Sequence, residues 1–474
     1  MEDRRILYGL GSSGRNEWMF KLSAELKNIL PHQPFFRCGM SGYHFIKDKA
    51  NQGNILFLDE ENQTKIKEPN LQFLEEAEEK FNFNIWDTWE IVAPRIKKKR
   101  KDKEEKTLKL FEYLIKEQGD FLDKNRITDY VIYGPTSYSD AIILKIMESK
   151  NINIINLRPS PLNKQFCISK NMSNELYGLK ENYQKIKEMG LSKEEQEQVS
   201  DIFQRYREKN YKPDCAVSFK ESKIQKSSRY LKAGWKMLKS HYLPSISLLR
   251  MWSWGVIQKG YDHLDIFENP VEGEKFVLFP LHYQPEASTL IHGKWYHNQL
   301  TLIDNLIRSI PVGYKLYVKE HSHGYGNRNL KFFKEIKKYT NVRLISPHAN
   351  NLDLIEKSSL VTTITGTSGW EAIMLQKPVV VFGDVFYGVF DCVKKIKNIE
   401  ELPNAIRERL DKKTSSEEAI TCLASMVKST YPGLARLPGG CANQSLQEEN
   451  IKLLASGIVQ HIKHTTPIHQ PLSP

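Results

Sequence analysis

A chain of 474 residues is longer than one ordinary hydrophobic core supports, so two domains with extensions are expected. Hydrophobic residues make up 40 % of it, with 21 Phe, 21 Tyr and 8 Trp, which excludes wholesale disorder. The net charge of +12 favours an acidic partner, but charge alone does not choose among a nucleotide sugar, an anionic glycan, an anionic membrane surface and nucleic acid.

None of the cysteines, Cys38, Cys167, Cys215, Cys392, Cys422 and Cys441, forms a CxxC pair, so neither a zinc site nor a disulfide framework is indicated and a reducing cytoplasm fits best. The N-terminus mixes charge signs and reaches Gly9 before any long apolar core, unlike a secretory signal. Arg250 interrupts the best candidate for a membrane span, residues 248–257, so any membrane association is expected to be peripheral, on the inner face.

Residues 6–8 read as a first strand, followed by Gly9-Leu10-Gly11-Ser12-Ser13-Gly14 and a helix over 15–30 that stops at Pro31. The spacing GxGxxG is that of a dinucleotide fingerprint, which also needs an acidic residue about 20 positions later to hold the ribose. Here the second strand, 34–37, ends in Arg37 and Cys38. NAD binding is therefore not expected, and Gly11 and Ser12 are read as part of a turn at the mouth of a Rossmann-like sheet, where acceptor or donor groups approach.

A third strand over 54–58, an amphipathic helix over 70–81 and an aromatic-rich piece over 83–92 lead to KKKRKDKEEK at 97–106. Asp102, Glu104 and Glu105 interleave with that basic run, so a solvated helix face explains it better than a nucleic-acid site, with attraction to anionic lipid as a secondary reading. Residues 129–133 form a strong strand pattern ending at Gly134-Pro135-Thr136-Ser137; a helix over 139–150 and a parallel strand over 152–156 follow, just before Arg158. Such strand ends line the ligand crevice of a doubly wound sheet, which makes Ser137 and Arg158 acceptor-side candidates; a loop hydroxyl and a surface arginine would read the same way. Two helices over 174–209 are expected to cover a flank of this sheet.

No strand signal appears from 220 to 269. Within it, 223–240 is basic with Tyr230, Leu231, Trp235 and Leu238 spaced for one face, which suits an anionic membrane surface, an acidic partner or packing between domains. Strands are then expected over 276–279, 314–318, 342–345, 360–364 and 379–382, with helices between them: a parallel α/β array. His282, Gln284, Lys319, His321, Ser346 and the run Thr365-Gly366-Thr367-Ser368-Gly369 fall at successive strand ends, where a doubly wound sheet binds ligands.

Gly366 and Gly369 suggest a sharp turn that approaches a ligand closely, and the hydroxyls of Thr365, Thr367 and Ser368 join the free N–H groups of the next helix in a place suited to a diphosphate. Glu371, one turn on, is placed to accept hydroxyls of a sugar or ribose. The alternative is a plain tight turn with an acid favouring a helix N-terminus. The expected division is 1–219 for a first domain, 220–273 for a helical connection, 274–440 for a second domain, and 441–474 for a last helix, crossing back to the first domain, with a tail.

The run ITGTSGWEAIMLQKPVVVFGDVFY at 364–387, with FPLHYQPEAST at 279–289 and KEHSHGYGNRN at 319–329, resembles the capsule polysaccharide biosynthesis protein family, relatives of the retaining Kdo transferases and, more distantly, of other GT-B glycosyltransferases. The resemblance is strong from 274 to 387 and fades in the N-terminal half. Two departures stand out: Gln376-Lys377-Pro378 where the family usually has Gly-Lys-Pro, and His321-Ser322 where it has His-Pro, beside a candidate site residue.

The resemblance implies an α/β, GT-B-like fold of two Rossmann-like doubly wound domains facing across a cleft, with the nucleotide sugar on the second and the acceptor on the first. It implies a cytoplasmic glycosyltransferase of surface polysaccharide synthesis that takes a CMP- or UDP-linked donor, possessing no cofactor or metal, with Kdo favoured as the sugar and a glycan or glycolipid as acceptor. The loop and Lys319 would stabilise the departing phosphate, with His282 and His321 as phosphate donors or proton shuttles. Partners would include weak contact with an anionic membrane and no nucleic acid. A polyol-phosphate transferase, a nucleotide-sugar epimerase and a non-catalytic assembly or export factor are the rival readings.

Overall fold

The computed structural model describes residues 4–11, 13–88, 100–135, 137–170, 174–211, 266–284, 286–322, 324, 328–435 and 442–465. Ser12, most of the basic run at 97–106 and the basic aromatic stretch with Trp235 lie outside the described residues or have undescribed side chains.

In chain order, the strands are β1 (Arg5–Gly9), β2 (Gln33–Cys38), β3 (Ile55–Phe57), β4 (Asp129–Tyr133), β5 (Asn153–Pro159), β6 (Gln165–Ser169), β7 (Phe276–Pro280), β8 (Lys315–Lys319), β9 (Val342–Ile345), β10 (Leu360–Thr363), β11 (Val379–Val381), β12 (Val393–Lys395) and β13 (Tyr431–Pro432). They form two sheets. The first runs β13-β6-β5-β4-β1-β2-β3 and the second β12-β11-β10-β7-β8-β9. Strands β1 to β5 are parallel and buried on both faces, as their unbroken runs Ile6-Leu7-Tyr8 and Tyr130-Val131-Ile132 require. The second sheet is parallel throughout.

Helices cover both faces of each sheet, so the architecture is α/β, two Rossmann-like doubly wound units. Their carboxyl ends meet across a cleft. Arg158, at the end of β5, donates to the Asn174 side-chain carbonyl, and the Asn174 amide donates to the carbonyl of Asp384, just beyond β11, at 2.6 Å. Leu290 and Ile291, on the loop after β7, pack against the core of the first unit.

Local chemistry sets the elements that matter for the site. Ser137 and Asp140 form a reciprocal cap at the start of helix Tyr138–Ser149, each side chain holding the other's backbone N–H at 3.1 Å. Strand β6, which the apolar pattern does not announce, returns antiparallel to β5 after five residues, a connection too short for a parallel crossover.

The two helices expected to flank the first sheet do not. Leu179–Met189 and Lys193–Arg207 pack instead on the helix Ser416–Lys428 of the second unit, burying Tyr183, Ile186, Val199, Phe203 and Tyr206 with Phe390, Cys422 and Leu423. Their 3.6-residue periodicity gives each an apolar face without saying which neighbour covers it. In exchange, the last helix, Glu448–His464, crosses back and packs on helix Ser13–Ile29, placing Leu454, Ala455 and Ile458 in one core with Trp18 and Leu22. Among the described residues no helix is long and apolar enough to cross a membrane.

Because Leu454 is fully buried in the first unit's core, Leu454→Ala should lower stability by about 2–5 kcal/mol in urea unfolding. A loss below about 0.5 kcal/mol, the range of surface substitutions, would mean that the last helix is not part of that core.

Candidate functional site

The second sheet reverses direction of build between β7 and β10. From β7 the chain continues outward to β8 and β9, then crosses back to β10, β11 and β12 on the other side. A crevice opens outside the carboxyl ends of two such strands. His282 leaves β7 and Thr365 leaves β10, and the Thr365 N–H donates to His282 Nε2 at 3.1 Å across that gap.

His282 is held by its backbone as well. Its N–H donates to Gln299 Oε1 at 2.8 Å, its carbonyl accepts from Gln299 Nε2 at 3.0 Å, and Arg328 donates to the same carbonyl. Gln284, expected to touch the donor, spends its amide on this scaffold: Nε2 donates to the His297 carbonyl at 2.6 Å and Oε1 accepts from Gln299 at 2.7 Å. Gln299 was not legible as a site residue, since a glutamine opening an amphipathic helix carries no distinguishing signal. Burial pushes the His282 pKa down to about 3, with His321 and Arg328 adding to the effect. The ring is therefore neutral at physiological pH.

At the end of β8, Lys319 is buried and among the described residues its ammonium bonds only to the carbonyls of Glu320 and Pro347, at 3.5 and 3.4 Å. Burial lowers its pKa, against the pull of Glu320 and Glu371. Glu320 lies fully buried, paired with Arg328 Nε at 3.0 Å, and its Oε1 accepts the His321 N–H at 2.6 Å; burial raises its pKa. The turn that follows needs a glycine, because a Cβ on Gly324 would stand 2.6 Å from Glu320 Oε1. The His321 ring stands 6.2 Å from that of Tyr283, and Ser346, after β9, accepts the His348 N–H at 3.2 Å.

Glu371 is surrounded deeply enough for burial to raise its pKa, yet solvent still reaches it, which places it on the floor of a cleft. Asn351 donates to its Oε2 at 2.9 Å and to Ser368 Oγ at 3.1 Å; the Thr367 hydroxyl and the charge of Lys319 also favour the carboxylate. Lys319, at the end of β8, and Glu371, on helix Ser368–Met374 after β10, thus feel each other's charge. Asn351, like Gln299, was missed, because an asparagine beside an N-cap reads as helix punctuation.

The loop 365–369 is more constrained than a flexible turn. Thr365 Oγ1 donates to the Ser288 carbonyl at 2.9 Å, the Gly366 N–H to Thr363 Oγ1 at 3.0 Å, and the Tyr387 hydroxyl to the Gly366 carbonyl. Neither Gly366 nor Gly369 has a positive φ. The expected reason for these glycines, backbone freedom, is thus replaced by another, the closeness of neighbours. A Cβ on Gly366 would lie 2.7 Å from Thr363 Oγ1 and 3.4 Å from His282 Nε2, and one on Gly369 would lie 2.3 Å from the Tyr387 hydroxyl.

On the first unit, Gly11 and Ser137 line a cavity of about 350 Å³ with Arg15, Arg37, Glu60, Ser139 and Asp140. Arg37 is committed to Asp140 at 2.7 Å, Ser139 at 2.6 Å and Gln118 at 2.9 Å, so the residue that argued against NAD is a buried brace. Arg158 does not join this cavity. It faces the second unit beside His292, whose pKa burial lowers to about 4, with Arg158 lowering it further and Asp384 opposing. A cavity of about 630 Å³ between helix Leu179–Met189 and helix Ser416–Lys428 contains none of the expected site residues. Size alone does not place the chemistry. Among the described residues no group of three or more His, Cys, Asp or Glu is arranged to hold a metal ion.

Residues 223–411 match the family model described as capsule polysaccharide biosynthesis protein. No curated protein matches the chain. Among solved structures, the KpsC β-Kdo 2,7 transferase of Thermosulfurimonas dismutans is similar at 13 % identity, covering 72 % of this chain and 87 % of its own, with a TM-score of 0.37. The KpsC β-Kdo 2,4 transferase of the same organism is similar at 14 % identity over 63 % and 79 %, with a TM-score of 0.34. A UDP-GlcNAc 2-epimerase of Methanocaldococcus jannaschii is similar at 11 % identity over 90 % and 98 %, with a TM-score of 0.26. Likeness at this level carries nothing about activity.

Two outcomes follow from the packing and burial of the site. Gly366→Val should cost about 1–3 kcal/mol in denaturant unfolding, from overpacking against Thr363 and His282; unchanged stability would show that the loop relaxes freely. His282 and His292 have folded pKa values of about 3 and about 4, below the usual 6.5. The unfolded chain therefore binds more protons, so the stability of burying these rings neutral is present above about pH 6.5 and is lost as pH falls toward 4 and 3. The urea midpoint should drop between pH 7 and pH 5, and a flat profile would contradict the assigned burial.

Proposed function

Residues 223–411 match the capsule polysaccharide biosynthesis protein family model, and from that match we propose that the chain is a glycosyltransferase, moving a sugar from a nucleotide sugar to a glycan or glycolipid acceptor. The observation that carries the reading is a buried Lys319 ammonium and a deeply set Glu371 carboxylate, each feeling the other's charge, beside the crevice between β7 and β10.

Transfer breaks the bond between the sugar's anomeric carbon and the phosphate oxygen, and the departing nucleotide keeps the electron pair. Lys319, short of strong partners, supplies positive charge where that negative charge grows, in a site where low polarity strengthens the interaction. Glu371, oriented by Asn351, accepts hydroxyls of the ribose or the sugar. The cavity lined by Gly11 and Ser137 on the opposite unit receives the acceptor, and Arg158 reaches the cleft between them. On this reading the charge on the departing phosphate is met by Lys319 and not by a divalent cation. A CMP-linked acid sugar such as Kdo is the first donor to test and UDP sugars the second, with the protein working at the cytoplasmic face of the membrane.

The test is release of CMP or UDP on incubation with donor and lipid-linked acceptor. Wild type should release nucleotide in the presence of EDTA, and Lys319→Met should slow release by roughly 10²–10³-fold. Glu371→Gln should weaken binding of the nucleotide sugar more than binding of pyrophosphate. Nucleotide binding without release would indicate a non-catalytic assembly factor, and interconversion of the sugar without release an epimerase.

A further inference from the structure

The hydrogen bond at the centre of the crevice fixes a tautomer. Because the Thr365 N–H is the donor, His282 Nε2 is the acceptor, and the neutral ring carries its proton on Nδ1. That Nδ1–H has no hydrogen-bond partner among the described residues, although His282 is only 8 % exposed. A buried donor left unpaired costs about 1–3 kcal/mol. Other unpaired atoms, such as Trp18 Nε1 and His461 Nε2, lie in or beside the core under the last helix; the His282 ring stands where β7 and β10 open the crevice.

We infer that His282 is a fixed neutral donor to an anionic oxygen of the substrate, a phosphate oxygen or a sugar carboxylate, and that the loop 365–369 fixes this ring rather than receiving the anion through Thr365 and Gly366. The inference rests on the reading of the protein as a nucleotide-sugar enzyme.

Hydrogen bonding in the loop supports it. Its first two N–H groups are already committed, Thr365 to His282 and Gly366 to Thr363 Oγ1, and the Gly369 N–H bonds to the Gly366 carbonyl. Beside them, the His282 Nδ1–H has no acceptor among the described residues. Lys319 pairs in register with Pro280, two residues before His282, and makes only long contacts to carbonyls. The His282 Nδ1–H and the Lys319 ammonium are the groups here that an oxygen of a ligand would satisfy. A neutral ring suits the task, since burial with Arg328 and His321 nearby disfavours the imidazolium. Nδ1 is closed to water in the ligand-free protein, so an incoming oxygen must open a path to it.

Protein labelled with ¹⁵N-histidine and titrated with pyrophosphate, CMP or D-glucuronate tests this, with His282 assigned by its loss in the His282→Asn spectrum. At pH 7 and at pH 5 the ring should carry its proton on Nδ1, with Nε2 unprotonated. The Nδ1 resonance should move with pyrophosphate and CMP if the oxygen belongs to a phosphate, or with D-glucuronate if it belongs to a carboxylate. In calorimetry with the ligand that moves it, His282→Asn, whose amide nitrogen takes the place of Nδ1, should bind within a few-fold of wild type. His282→Gln, which carries its amide toward the Nε2 position, should lose about tenfold, the equivalent of one hydrogen bond. A proton on Nε2, or equal losses in both variants, overturns the inference. Nucleotide binding that leaves Nδ1 unmoved also overturns it but leaves the nucleotide-sugar reading standing, whereas failure of CMP, UDP and pyrophosphate all to bind overturns both.

Discussion

Two neighbouring parallel strands whose chains depart in opposite directions set the geometry of this molecule. Strands β7 and β10 lie side by side in the middle of the second sheet, and the segments leaving them meet where Thr365 N–H reaches His282 Nε2. The residues behind that contact, Val277, Leu278, Phe279 and Val361, are fully buried. Polar groups placed at the ends of such strands begin where the core stops. That is why burial lowers the pKa of His282 and Lys319 and raises that of Glu320 and Glu371: each charged form gives up hydration that its partners only partly replace. The electrostatics of the site are a consequence of its position on the sheet.

The same economy of contact explains how the units stay together. Each receives a segment from the other part of the chain: helices Leu179–Met189 and Lys193–Arg207 on the second, and the last helix and β13 on the first. Ion pairs cross between the units as well, including Lys294 with Asp87 at 2.6 Å, but both side chains are 38 % exposed and such pairs contribute at most about 1 kcal/mol. The exchange of apolar faces does more. Tyr206 lies in the core with Trp370 and accepts its indole N–H at 3.1 Å, one residue before Glu371, so the helix that ends the first half of the chain also supports the floor of the site.

Much of this was legible in the sequence, because parallel strands buried on both faces leave unbroken apolar runs and because ligand groups at their ends follow at a fixed offset. The strands of both sheets that carry candidate residues appear where those runs stand. Less regular strands were not legible: β12 and β13 are short, and β6 depends on a hairpin closed by residues 160–164. Partner choice was equally hidden, since the periodicity of 179–189 and 193–207 names a face and not its neighbour. At the site, sequence placed His282 and Lys319 at strand ends and Glu371 in the helical turn after one, but could not show that Gln284 is committed to Gln299 and His297, or that Asn351 orients Glu371. Glycine spacing suggested freedom of the backbone, whereas the geometry assigns Gly366 and Gly369 to the tight approach of Thr363, His282 and Tyr387. Those facts depend on contacts between residues far apart in the chain.

The central claim is that a nucleotide sits at the crevice between β7 and β10. Hydrogen exchange with and without CMP or UDP, read by peptide mass, tests it most directly. The account predicts slower exchange in 281–284, 319–322 and 364–372 on nucleotide binding, with the cavity around Gly11 and Ser137 unchanged until an acceptor is added. Protection confined to 9–11 and 134–140, with the second sheet unaffected, would contradict it.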